Sequence, residues 1–191
     1  GDVSATSSKY SNIRIWPAVL FLAAMVVAKM LPSMIENGPS QIWMSAAFGP
    51  LLGALLVLGW WLLASRARWQ ERLLGLIGLA VTFGLAAVLL HPTMLGPAVL
   101  VLTIPLGVGA FAMGTIVLSR VHSPARTGIA LLMAFIGFGY IDLLRAEGMW
   151  GDFAFDLHWR WAPDAEDRLL ASQDESKAET SAKYSKTEIQ G

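Results

Sequence analysis

Five long apolar stretches constrain this chain more than any other feature. They run near Ile13–Leu31, Trp43–Leu63, Leu73–Leu90, Pro97–Leu118 and Gly128–Leu144, and their central parts hold no Asp, Glu, Lys or Arg. A bilayer core about 30 Å thick is crossed by about 20 helical residues, each rising ~1.5 Å. Segments that are apolar on every face suit lipid or a membrane bundle, whereas a soluble surface helix carries a stripe. The expected fold class is therefore all-α. The chain reads as a polytopic membrane protein of five transmembrane helices, with a C-terminal collar on the periplasmic side and a disordered tail.

Charge distribution agrees. Apolar residues make up 55% of the 191 and charged residues 15%, against roughly 25% charge in an average soluble domain. Ala162–Gly191 carries 11 of the charges in 30 residues, which leaves 17 for the other 161. Zero cysteine excludes disulfides, thiolate zinc sites, iron–sulfur clusters and c-type haem. A net charge of 0 argues against nucleic acid as a partner.

The chain divides into a polar arm (1–12), a transmembrane domain (13–144), a juxtamembrane collar with a short helix (145–171) and a disordered linker or tail (172–191). The first span is read as an uncleaved helix, because its apolar run exceeds a signal-peptide core and "VVAKM" is a poor cleavage site. Seven basic residues (Lys9, Arg14, Arg66, Arg68, Arg72, Arg120, Arg126) fall on one side and three (Lys29, Arg145, Arg160) on the other. The positive-inside rule then places the N-terminus in the cytoplasm and, after five crossings, the C-terminus in the periplasm of a bacterial inner membrane. All eight tryptophans lie at or beyond span ends, where an indole ring is half buried with its N–H wet. Small residues four apart, Gly49/Gly53 and Ala110/Gly114, mark close helix packing.

Candidate chemistry is sparse. His91, His122 and His158 share no i, i+3 or i+4 spacing, so no metal site is expected. His91, before Pro92, reads first as an interfacial residue and only weakly as a cofactor contact. Pro105, in "LTIPLGVG", predicts a passive kink. A transporter is the least favoured reading, since the spans lack intramembrane charge and a second broken helix. Asp142 and Arg145, three apart at the close of the fifth span, are expected to share a helix face and pair. Such a pair reads first as an interfacial anchor, and second as the candidate lining of a headgroup or quinone pocket. Beyond it, Phe153, Phe155, Trp159 and Trp161 alternate with polar residues, predicting an extended interfacial collar. Arg160 is expected to point away from those aromatics, towards phosphates, Asp152 or Asp156. Pro163 followed by Asp164, Glu166 and Asp167 predicts a short helix ending near Ala171. No catalytic constellation is present, and enzyme activity of this chain is not expected.

"WRWAPDAEDRLLA" (Trp159–Ala171), together with "RIWPAVL" (Arg14–Leu20) and "SRARWQERL" (Ser65–Leu73), resembles the N-terminal membrane region of bacterial PQQ-like β-propeller proteins. These are quinoprotein-dehydrogenase-like or outer-membrane-assembly-factor-B-like chains. The resemblance spans about residues 13–171. It implies an inner-membrane anchor for a periplasmic propeller, where any PQQ chemistry would occur, with membrane quinone as a further contact. The sequence stops within the expected linker and holds no propeller repeats, so no residue here inherits a PQQ or calcium role. The alternative is a small quinone- or lipid-interacting subunit among the partners of a respiratory or photosynthetic membrane complex.

Overall fold

Backbone constraints place the helix starts. The computed structural model describes residues 14–35, 39–121, 125–149 and 154–188. The expectations for the 1–12 arm, His122, Asp152 and Phe153 lie outside them. Helix α1 (Trp16–Met34) opens with a proline, Pro17, in its first turn, where no amide hydrogen is needed. Helix α2 (Ser40–Leu63) follows extended Pro39, and α3 (Trp69–Leu89) carries Glu71 in its first turn, which suits the helix dipole. Helix α4 (Ile104–Val117) continues from a π-turn at Val99–Thr103, and α5 (Ala125–Asp142) returns antiparallel to it. All five spans are long and apolar enough to cross a membrane, the fourth counted with its π-turn.

The π-turn is the local answer to Pro105. Proline has no N–H to give the carbonyl four residues earlier, so a regular ladder would be interrupted there. The Ile104 N–H instead reaches the Val99 carbonyl, five residues back, just before the proline. The expected kink is present in this form.

Helix contacts follow the small residues. A Cβ on Gly49 would lie 2.6 Å from the Ala28 Cβ, and one on Gly53 would lie 2.1 Å from the Met25 Cγ, so α1 and α2 touch there. On the other seam, a Cβ on Gly114 would lie 2.8 Å from the Ala130 Cα, and one on Gly137 would lie 2.9 Å from the Ala110 Cβ. Lipid offers apolar side chains no reason to leave it, so this close approach is what holds such helices together. Half of the α4 window is buried, against 11% of the α1 window, which makes α4 the central helix. Large apolar side chains such as Leu20, Val27, Leu63 and Val88 face outwards.

Two expectations about this bundle need correction. Trp60 and Trp61 are core residues, not interfacial belts: Trp61 is fully buried edge-on to Phe111 at 5.0 Å. Their indole N–H groups donate to the Arg14 and Arg72 carbonyls at 2.9 and 3.1 Å, which satisfies them inside protein. The fold is also not purely helical. Leu144 does not continue the fifth span but opens strand β1 (Leu144–Met149), which pairs antiparallel with β2 (Phe155–Trp159).

The last helix, α6 (Ala165–Glu188), starts where the acidic turn predicted, with the Asp167 carboxylate accepting the Asp164 N–H at 3.3 Å. It does not end near Ala171, and it occupies most of the expected disordered linker. No glycine or proline interrupts Ala165–Glu188, and Ala, Glu and Lys favour a helix without tertiary support. From Ala165 to Ala178 every side chain is exposed.

Candidate functional site

The candidate site is the end of the bundle where α3 and α5 finish and the hairpin begins. A bulge between Ala146 and Gly148 sets its chemistry. The bulge residue, Glu147, stands two residues from Arg145 on one strand, while Asp156 and His158 stand two apart on the other. Side chains two apart share a strand face. Pairing of Arg145 with His158 therefore gathers four polar side chains.

Arg145 does not pair with Asp142, contrary to the helical spacing. Helix α5 stops at Asp142, so the two residues leave on different elements. Arg145 instead donates to Glu147 at 2.8 Å and to Asp164 at the start of α6. Arg168, one turn into α6, holds the other Glu147 oxygen. Two guanidinium groups thus clamp α6 to the hairpin. Burial pushes the Glu147 carboxyl up, but the Arg145 hydrogen bond and the charges of Arg168 and His158 outweigh it. The net result holds Glu147 below the ordinary glutamate range.

A group with a depressed folded pKa contributes stability above its unfolded pKa, and that contribution is lost as pH falls through the folded value. The clamp is therefore expected to survive mild acid and to open only below the ordinary glutamate range. The cysteine-free chain permits a test with spin labels on Leu157→Cys and Ser172→Cys. A narrow distance at neutral pH should broaden only in stronger acid, and Glu147→Gln should broaden it at neutral pH. Broadening that begins in mild acid would contradict this assignment.

Glu147, Asp156 and His158 also bring one ligand-type atom each within 4.8 Å of one another. Helical spacing gave no hint of this, because strand pairing assembles the group. His158 Nε2 lies 3.2 Å from Asp156 and 3.6 Å from Glu147. Both Glu147 oxygens already face guanidinium groups, so its charge serves the clamp.

Arg160 takes a role different from the expected one. It does not pair with Asp156, which instead faces His158, but donates to the Leu89 carbonyl at 3.1 Å and the Asp142 carbonyl at 3.5 Å. Those residues end α3 and α5, so one guanidinium serves the negative ends of two helix dipoles. Asp142, Arg160 and Trp161 also line a cavity of about 450 Å³ with Leu89, Phe135 and Leu143. Among the described residues, one buried Asp142 carboxylate oxygen has no hydrogen-bond partner.

The collar aromatics divide into two roles. Phe155 packs on the apolar cluster of Leu90, Met94, Ala98, Ile141 and Leu144 that closes the bundle end. Trp159 stacks on Trp161 at 5.1 Å and meets Tyr140 edge-on at 6.4 Å, leaving Trp161 70% exposed. His91 Nδ1 lies 2.9 Å from the Thr93 hydroxyl, which accepts the Ala146 N–H at 3.3 Å. That chain ties the loop after α3 to the hairpin.

At the opposite end lies a pair that the sequence analysis passed over. Arg126 is 1% exposed and donates to Glu71 at 3.0 Å, joining α5 to α3. A signal existed, since Glu71 is the sole acidic residue between Glu36 and Asp142. Nearby, Arg72 donates to the Ala67 and Leu62 carbonyls, closing the α2–α3 loop. No family model, curated protein or solved structure matches this chain.

Proposed function

We propose that this chain is an inner-membrane anchor that holds an attached or associated module at a set position outside the lipid. The observation that carries this reading is α6, exposed along Ala165–Ala178 yet clamped at its root through Arg145–Asp164 and Arg168–Glu147. A bare tether would need no such clamp. A helix fixed to the hairpin gives whatever it carries a defined exit direction. The resemblance of Trp159–Ala171 to propeller anchors makes a PQQ-like β-propeller the proposed cargo. The seven-to-three basic asymmetry supports a cytoplasmic N-terminus and a periplasmic hairpin.

An export-dependent reporter fused after Gly191 is expected to be active, as is a cytoplasm-only reporter fused after Ser123. A silent C-terminal export reporter on a membrane-inserted protein would overturn the orientation. For the cargo, an antibody against α6 should isolate from native membranes a polypeptide or complex that contains a propeller. Isolation of a stoichiometric redox complex without one would favour the subunit reading instead.

The second reading, a quinone contact, is favoured by the cavity at Asp142, Arg160 and Trp161. The cavity offers the Arg160 guanidinium as a donor to a quinone carbonyl and the Asp142 carboxylate as an acceptor for the hydroxyl of the reduced quinol, beside apolar side chains that suit the ring. Its test is quinone co-purification, which Arg160→Gln should abolish.

A further inference from the structure

We infer that the groove between α1 and α4 binds one anionic phospholipid, with its phosphate on Lys29 and an acyl chain alongside the π-turn. The inference rests on the membrane placement of the five helices and is independent of the cargo. The groove encloses about 510 Å³ and is lined by apolar residues that include Met25, Val101, Pro105, Gly109 and Met113, with Lys29 its one charged residue. The unusual backbone makes room for it. Pro105 and the π-turn interrupt the regular surface of α4, and Gly109 offers no side chain to fill the space.

Length and charge both select the occupant. Val101 to Met113 is twelve helical steps, or about 18 Å at ~1.5 Å per residue, comparable to the ~15 Å depth of one hydrocarbon leaflet. Lys29 lies near the end of α1 that shares the hairpin side, where a lysine can extend its ammonium to the headgroup level. There it also lines a second cavity of about 260 Å³, beside Ser33 and Trp43. Among the described residues, the Trp43 indole N–H has no partner, and neither cavity is lined by a carboxylate. A hydrocarbon groove thus meets a second, smaller cavity at one cation, with the Ser33 hydroxyl beside it. A phosphate diester with an acyl tail complements that arrangement, and a zwitterionic headgroup brings its own cation to the same place.

The test is native mass spectrometry of the full chain in detergent, titrated separately with phosphatidylglycerol and phosphatidylcholine. One tightly held phosphatidylglycerol is expected, preferred about fivefold, the scale of one lysine acting on an anionic headgroup. Lys29→Gln should erase the preference, Lys29→Arg should keep it, and Gly109→Leu should reduce retention of both lipids by filling the groove. Equal retention of the two lipids by the unaltered protein would overturn the inference, whatever the variants do. So would a preference that survives Lys29→Gln, or a neutral isoprenoid quinone occupying the groove in place of phospholipid. Carbonate extraction of the same membranes separates failure of this site from failure of the membrane placement itself.

Discussion

Glu71→Ala is expected to destabilise the bundle by about 3–5 kcal/mol, because it leaves Arg126 buried without its counter-charge. Arg126 is 1% exposed, and among the described residues its Nε and Nη1 atoms have no hydrogen-bond partner, so the Glu71 contact is what offsets its desolvation. The pair itself contributes far less than breaking it costs. Removing both charges with Glu71→Leu and Arg126→Leu should therefore restore most of the loss, as apolar side chains of similar size fill the seam between α3 and α5. Equilibrium unfolding in mixed detergent micelles checks this for the single and double variants. A double variant as unstable as Glu71→Ala would show that the charges contribute through something other than each other.

Gly114→Leu should be nearly as damaging, at about 3 kcal/mol, the upper end for overpacking a fitted core. Its new Cβ would lie 2.8 Å from the Ala130 Cα, a backbone atom that cannot rotate away, and 3.0 Å from the Met133 sulfur. Helices α4 and α5 would have to separate, and the Gly137–Ala110 contact further along the same seam would be lost with them. Gly84 is the control, because nothing lies within 4 Å of a Cβ built there. Gly84→Ala should be neutral or stabilising by about 0.5–1 kcal/mol, through helix propensity alone. Size-exclusion profiles and thermal unfolding of the two variants would separate steric from propensity effects. Equal behaviour would remove close approach as the reason for a glycine at 114.

Much of the architecture was legible because its causes are local. Sustained hydropathy marks a lipid-crossing helix whatever its neighbours do, so all five spans lie within a few residues of their expected bounds. Proline acts on its own backbone, which is why Pro105 marks a real irregularity. The acidic turn at Asp164–Asp167 is equally local and opens α6 as expected. Gly49/Gly53 and Ala110/Gly114 were readable because small residues spaced by four on one helix serve mainly to admit another.

The site was not legible, and the residues show why. Asp142 and Arg145 have helical spacing, yet α5 ends between them, and a helix end is decided by what the departing chain can pair with. Here that partner is β2, eleven residues beyond Leu144 at its nearest residue, Phe155. Arg160 looked like an interfacial cation because its sequence neighbours are aromatic, but its partners are the last carbonyls of α3 and α5, 71 and 18 residues away. Trp60 and Trp61 lie at a span end just as lipid-facing indoles do. Only the approach of other segments turns them into core: Gly75 of α3 and Phe111 of α4 against Trp61, and the Arg14 carbonyl on the Trp60 N–H.

By itself, then, the sequence determined how many helices are long and apolar enough to cross a membrane, that the fourth is irregular at Pro105, and which small residues admit close contact. Hydropathy, proline geometry and side-chain size belong to single residues or single turns. Tertiary structure alone decided which charges meet: Glu71 with Arg126 across 55 residues, and Glu147 with Arg168 across 21. Charged partners are chosen by which helix ends and strand faces come together, and their spacing along the chain carries no trace of that choice.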